Sequence, residues 1–366
     1  MIVEELELHN LRNYEFLKVS FRPGINYIYG ENASGKTNIL EAIYFLSLTR
    51  SFRTSEISEL VRKDAGFAVI LAKIKDENST KTLEIKFNDK GKKILLNNKT
   101  VSKISELNSL INVLSFIPRN TNLLKDAPKE RRKFLNIYLS KFSNNYLKTL
   151  SLYEKILKER NDAYKAYKIN YTLIDILTNQ IINLNKEIYI YRKKFINQIN
   201  KYLNDVYKNV SLKDEKLLMT YESFIKDSEN IENFLKDEFQ KVKEEELKRK
   251  QTLIGVHKDD FKLFLDGRDV SLYGSQGENR ISVISLILSL YFLNKDKSPI
   301  IVLDDVLSEL DSKHEQNLIN YLENFTQVFI TNTAKSQYFN KNYYHLENRT
   351  MKEEWRWKKK RKSKKK

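Results

Sequence analysis

Eight residues, Gly30-Glu31-Asn32-Ala33-Ser34-Gly35-Lys36-Thr37, constrain this chain more than any other stretch. They match G-x-x-x-x-G-K-[ST] at every fixed position. Before them Ile25-Asn26-Tyr27-Ile28-Tyr29 reads as a short strand, and after them Ile39-Leu40-Glu41-Ala42-Ile43-Tyr44-Phe45-Leu46 has helical spacing. A strand, a glycine loop and a helix start, in that order, aim backbone N–H groups and a helix dipole at phosphate oxygens. An ordinary glycine turn before a helix is the plainer alternative. The complete motif with both flanks in place speaks against it. Lys36 is expected to reach the β- and γ-phosphates of a nucleotide, and the Thr37 hydroxyl to take a Mg²⁺ position. Gly30, Glu31, Asn32, Ala33, Ser34, Gly35 and Asn38 complete the expected cradle.

The 366 residues suffice for two or three folded units. No run approaches the roughly 18 apolar residues that would span a bilayer. Met1 to Leu8 alternates like a strand, with no secretory-leader pattern. The chain has no cysteine, which excludes disulfides, thiolate metal sites and cysteine nucleophiles. These features favour the cytoplasm. A formal net charge of +17 points to a polyanionic partner. Part of it is local, because residues 351–366 hold ten Lys and Arg against two Glu and read as a disordered basic tail.

Residues 1–30 read as strands, 31–50 as the loop and its helix, and 66–100 as a strand meander. The character then changes, since no glycine occurs between Gly91 and Gly255. Tyr146, Leu150, Tyr153, Leu157, Tyr164 and Tyr167 keep 4-3 spacing, interrupted at Arg160. Leu177, Ile181, Leu184, Ile188, Tyr191, Phe195 and Tyr202 do the same, and a break near Lys168 to Tyr171 divides the two sets. This predicts an antiparallel pair of long helices, whose apolar stripes are packing faces. The chain thus reads as an α/β head, residues 1–125 and 250–350, with an inserted α-helical arm at 126–249 and the tail at 351–366.

Later stretches say what the nucleotide is for. Pro299-Ile300-Ile301-Val302-Leu303-Asp304-Asp305 is an apolar strand ending in two carboxylates. Asp304 is placed to hold the Mg²⁺ shell, the Walker B pattern, and Asp305 to orient the attacking water. Ser308-Glu309-Leu310-Asp311 follows in the position of a D-loop. Upstream, Ser275-Gln276-Gly277-Glu278-Asn279-Arg280 precedes a long apolar helix, so Ser275 and Gly277 offer a second anion-binding helix start. Alone it is an N-cap. Joined to Walker A and Walker B, it is the signature motif of an ABC-type ATPase.

With these motifs in place the chain resembles the RecF family, related to the SMC and Rad50 ATPases. The likeness runs from His9-Asn10-Leu11-Arg12-Asn13-Tyr14 to about Ala334. It takes in Ser47 to Arg53, Ser115-Phe116-Ile117-Pro118, Pro128-Lys129-Glu130-Arg131-Arg132-Lys133-Phe134-Leu135 and Gly255-Val256-His257-Lys258-Asp259-Asp260. The resemblance implies an ATP-dependent clamp on single-stranded, gapped or junction DNA. It also implies an ATP-dependent homodimer with two nucleotides at its interface, weak hydrolysis, and recombinase loading together with RecR and RecO. The family's Ser-Gln-Gly-Gln is Ser-Gln-Gly-Glu here, and its Pro-Glu-Asp is Pro118-Arg119-Asn120. The strand Val328-Phe329-Ile330-Thr331 ends at Asn332, where ABC transporters carry a switch histidine, leaving Thr331 for that role.

A P-loop kinase or ligase explains Walker A but neither the signature nor the arm. A transporter subunit fits neither the arm nor the tail, and a full SMC or Rad50 protein needs a far longer coiled coil. A DNA-binding module holding ATP as a structural ligand, with negligible turnover, remains the rival reading.

Overall fold

The structure, a computed structural model, describes residues 1–76, 79–101, 107, 110–226, 230–339 and 341–354. The expectation of a disordered tail therefore lies mostly outside the described residues. By the density of its internal contacts the chain forms two compact units. One is Met1–Asn120, Asn209–Leu212 and Leu290–Lys366, the other Thr121–Lys208 and Lys213–Ser289.

In chain order the main elements are β1 (Ile2–Leu11), β2 (Tyr14–Ser20), β3 (Gly24–Tyr29), α1 (Lys36–Leu48), β4 (Ala68–Lys75), β5 (Thr80–Asn88), β6 (Gly91–Leu96), β7 (Lys99–Thr100) and β8 (Val113–Phe116). Then come α2 (Pro128–Phe142), α3 (Asn144–Lys165), α4 (Tyr171–Ser211), β9 (Leu217–Glu222), α5 (Ile231–Arg249), β10 (Asp260–Leu265), β11 (Arg268–Asp269), α6 (Val270–Tyr273) and α7 (Gln276–Phe292). The chain closes with β12 (Ile300–Leu303), α8 (Ser312–Leu322), β13 (Gln327–Asn332), β14 (Tyr343–Glu347) and β15 (Thr350–Glu354). Among the described residues no helix is long and apolar enough to cross a membrane.

The first unit holds two six-stranded sheets, and its architecture is that of an α/β ABC-type head. One sheet, in the order β2-β1-β4-β5-β6-β7, is antiparallel throughout. It buries alternate side chains such as Ala68, Ile70, Ala72 and Ile74, as a sheet with one covered face should. The other has the order β15-β14-β3-β13-β12-β8 and is parallel from β14 to β8. Its strands β8 and β12 are buried at every residue, the unbroken apolar run of a parallel sheet interior. Helix α1 packs against β8 and β13 of this sheet and β4 of the other. It is buried nearly all round, which its Ile39-Leu40 to Leu46 run requires. The core it joins runs from Leu6, Leu8 and Ile70 through Ile43 and Phe45 to Val302 and Phe329.

The parallel order decides where a site can form. Asn332 pairs with Tyr29, and Leu303 with Ile330 and Phe116, so β3, β13, β12 and β8 end along one edge. Ligands in such sheets bind outside the carboxyl ends of the strands.

In the second unit α3 and α4 run antiparallel. Thr149 donates to Glu187 at 3.1 Å, whereas Arg160, a few turns later, reaches Thr178 at 2.9 Å. The buried side of α3 is Tyr146, Leu150, Tyr153, Ile156, Arg160 and Tyr164. Arg160 thus fills the stripe at the place where the apolar spacing lapsed, while Tyr167, expected in the stripe, is fully exposed.

Three other elements differ from the sequence reading. Leu217, Met219 and Tyr221 alternate within the expected helical arm and form β9, which pairs with β10. Residues 250–289, expected with the head, group with the second unit. Thr350–Glu354, whose last four residues were read into the tail, pairs with β14 as an edge strand. An edge tolerates Lys352, Glu353 and Glu354 because one side of it stays in water.

Candidate functional site

The loop between β3 and α1 is shaped by backbone constraints only glycine meets. Gly30 has φ +155°, and a Cβ there would lie 2.3 Å from the Leu346 carbonyl oxygen. Gly35 has φ +112°, and its Cβ would meet the Tyr14 hydroxyl at 2.5 Å. Ala33 is left-handed as well, at φ 62°. Gly35 supplies no side-chain cap to α1, so the helix start presents bare N–H groups. Lys36 Nζ donates to the carbonyls of Gly30 and Glu31, both at 2.7 Å, folding the lysine back over its own loop. Burial lowers its pKa from the usual lysine value, against the pull of the Asp305 and Asp304 charges.

Two buried hydroxyls here, Ser34 Oγ and Tyr14 Oη, have no hydrogen-bond partner among the described residues. Burial pushes the Tyr14 hydroxyl far up, so it stays protonated and able to donate. Buried donors left unmade are costly, and phosphate oxygens would satisfy both. The loop therefore fits a nucleotide phosphate by shape and by its unmet donors.

Across the edge, Asp304 directly follows β12. It is 3% exposed and accepts two hydrogen bonds at Oδ1, from Thr331 at 2.7 Å and from Thr37 at 3.1 Å. Burial raises its pKa from the usual aspartate value, opposed by those two bonds. Thr331, at the end of β13, also accepts the Asp305 N–H at 3.0 Å. One hydroxyl thus ties both acids, while Asn332 turns to the Tyr27 hydroxyl at 2.9 Å. Asp305 is exposed and left-handed at φ 51°, a conformation aspartate tolerates better than most residues. Ser308 donates to the Asp305 carbonyl, and Asp311 caps α8 through the N–H groups of Lys313 and His314.

Thr37 and Asp304 bring two hard oxygens together. Among the described residues no group of three or more His, Cys, Asp or Glu could hold a metal. A site with few protein oxygens suits Mg²⁺, which keeps waters and takes substrate phosphates.

The N-terminal motif closes on the same helix. Glu41, completely buried on α1, accepts two bonds from Arg12, at 2.9 and 2.8 Å, and one from Ser51. Asn38 donates to Asn13 at 2.6 Å and accepts from Arg53 at 2.9 Å. A charged residue inside an apolar helical run was the available signal for Glu41, and the sequence reading gave it no role.

The comparisons with known proteins agree with this geometry. The model of the RecF/RecN/SMC N terminal domain matches residues 2–354. DNA replication and repair protein RecF of Bacillus thuringiensis (strain Al Hakam) is 37% identical over 91% of this chain and 92% of its own length. The chain belongs to the RecF family. A solved structure of the recombination mediator protein RecF with ATP in the RecFOR pathway superposes with TM-score 0.86 at 29% identity, over 96% of this chain and 97% of that one. A Pyrococcus furiosus Smc head domain, at 15% identity and TM-score 0.57, shares the fold.

Three further RecF-family motifs lie in the second unit. Ser275 and Glu278 cap α7 reciprocally: Ser275 Oγ accepts the Glu278 N–H at 3.2 Å, and the Glu278 carboxylate accepts the Ser275 N–H at 2.9 Å. This is a capping box, which the glutamate in Ser-Gln-Gly-Glu permits. The Ser275 backbone holds the Glu278 carboxyl below its usual value. Gly277 sits on the exposed first turn of α7, where a Cβ would meet open space. The two long motifs clasp each other. Arg131 grips Asp260 with two bonds of 2.7 and 2.6 Å, and Arg132 reaches the Asp259 carbonyl at 2.8 Å. In the first unit Asn120, the last residue of Pro118-Arg119-Asn120, accepts the Ile117 N–H at 2.9 Å.

Proposed function

We propose that this chain is an ATP-dependent DNA-binding clamp of recombinational repair and replication restart. It engages single-stranded or gapped DNA and helps load recombinase with RecR and RecO, in the cytoplasm. The observation that carries the reading is the edge where Lys36, Thr37, Asp304, Asp305 and Thr331 meet across β3, β12 and β13. The relatives named RecF, one of them solved with ATP, support the nucleotide and the pathway. The net charge of +17 supports the polyanionic partner.

In this reading Lys36 leaves the loop carbonyls for phosphate oxygens, and Thr37 and Asp304 hold Mg²⁺. The cation supplies charge neutralisation when bound. Asp305 orients water, with Thr331 setting its backbone, and hydrolysis is weak. No nuclease or helicase activity is expected. Ser275 and Gly277 complete the nucleotide site of a second copy, so ATP gates a homodimer. Sedimentation velocity with and without ATP and gapped DNA tests this. The expected result is a shift from monomer to dimer with ATP, and a heavier complex with DNA. A chain that stays monomeric and DNA-free with ATP present refutes the clamp.

A further inference from the structure

The outer face of the antiparallel sheet in the first unit is divided by charge. Over most of it the lysines are neutralised locally. Lys18 pairs with Glu5 and Glu7, Lys73 with Glu5 and Lys75 with Glu4, at 3.1–3.2 Å. At one end the pattern stops. The register aligns Phe16, His9, Val69, Lys86 and Lys93 in a row across β2, β1, β4, β5 and β6. Lys86 and Lys93 stand directly opposite each other, an arrangement that costs stability in an antiparallel pair.

Neither of these lysines, nor Lys90 in the connecting turn, meets a carboxylate among the described residues. Two aromatic rings lie open on the same face, Phe67 beside Lys86 and Phe16 three strands away along the row. Phe16 is 54% exposed and leans on the His9 ring at 5.1 Å, and Phe67 is 39% exposed with Lys86 Nζ 3.7 Å above its centroid. The row spans four inter-strand steps, about 19 Å. Facing like charges with no salt-bridge partner among the described residues, set near exposed rings, lower the stability of the isolated fold. A polyanion with flat apolar groups would relieve both.

We infer that this face is a binding surface for single-stranded DNA, with phosphates on Lys86, Lys90 and Lys93 and an unstacked base on Phe16. The inference rests on the proposed DNA-binding function and names the surface that performs it. Lysines tracking the backbone beside an aromatic platform are what single strands need.

The test is fluorescence anisotropy of a labelled oligo-dT strand, titrated with salt, on the full chain with ATP. Replacing Lys86, Lys90 and Lys93 by Gln should make the log–log salt slope shallower by about 2, since each lost single-strand phosphate contact removes roughly 0.7. Phe16→Ala should weaken binding about tenfold and leave the slope unchanged. Lys93→Glu separates binding from folding. It should pair with Lys86 and raise the Tm by about 1–3 °C while weakening DNA binding. Retained ATP affinity checks that each variant is folded. A parent that binds steeply with salt while the triple variant keeps its slope and affinity overturns this surface and leaves the DNA function standing. A parent that binds no DNA overturns that function itself. Loss confined to duplex DNA overturns the single-strand assignment.

Discussion

Replacing Thr331 by Val keeps the shape of a buried side chain and removes one hydroxyl. That hydroxyl donates to Asp304 at 2.7 Å and accepts from the Asp305 N–H at 3.0 Å. A hydrogen bond to a charged group contributes about 1.5–3 kcal/mol, or roughly 10- to 150-fold in an equilibrium. Losing the partner that orients a metal ligand falls in the same range, about 10- to 100-fold. Affinity for Mg²⁺·ATP should therefore drop by one to two orders of magnitude, while metal-free ATP, held by the loop, should bind about as before. The pH dependence gives a second readout. Burial raises the Asp304 pKa and the Thr331 bond opposes that rise. A raised carboxyl stabilises the fold most at low pH and loses that contribution as pH climbs through the folded value. Cation binding runs the other way, because only the carboxylate binds Mg²⁺, and it weakens as pH falls through the same value. Thr331→Val removes an opposing interaction, so this loss should begin at a higher pH than in the parent. Fluorescent-nucleotide titrations with and without Mg²⁺ over a pH series measure both effects. Equal losses with and without the cation, or a pH midpoint that does not move, would show that Thr331 does not act through Asp304.

Three further outcomes are expected. Mixing Lys36→Arg with Ser275→Arg, each nearly inactive alone, should restore up to about a quarter of the ATPase sites under random twofold pairing, and no recovery with heterodimers shown to form would exclude a shared site. Arg160→Met should destabilise the second unit by about 3–5 kcal/mol in urea unfolding, because it leaves the buried Glu246 without its 2.7 Å partner, whereas adding Glu246→Leu should recover most of the loss. His257, bonded to the Tyr153 hydroxyl at 2.6 Å, has its pKa lowered by burial to about 4. Stability linked to it is present above the ordinary histidine value and should fall as pH drops from there toward about 4, and His257→Gln should flatten that part of a Tm-against-pH curve.

What the sequence made legible was whatever depends on short spacing. The glycine loop, the acids after β12 and the capped helix start at Ser275 each carry their geometry within a few residues, and the 4-3 repeats foretell α3 and α4. Partners distant in the chain were not legible. Arg160 looked like a flaw in the repeat because Glu246 and Thr252, which satisfy it, lie on later elements. Glu41 looked like one polar residue in an apolar helix because Arg12 reaches it from β1's end. Thr331 could be proposed from its place at a strand end. Its grip on both acids depends on β13 lying between β3 and β12, and strand order is not written in any one segment.

The pairing of β9 with β10 bears on how this chain could be shortened. Removing residues 126–249 looks like trimming an appendage, yet it would take away β9 and with it the six-residue register that covers one side of β10. The remaining ribbon of β10 and β11 would offer a fresh row of N–H and C=O groups to any neighbour. Such a truncated chain should self-associate through that edge, so insolubility after arm removal would report an unzipped sheet, with the first unit's own folding left unjudged.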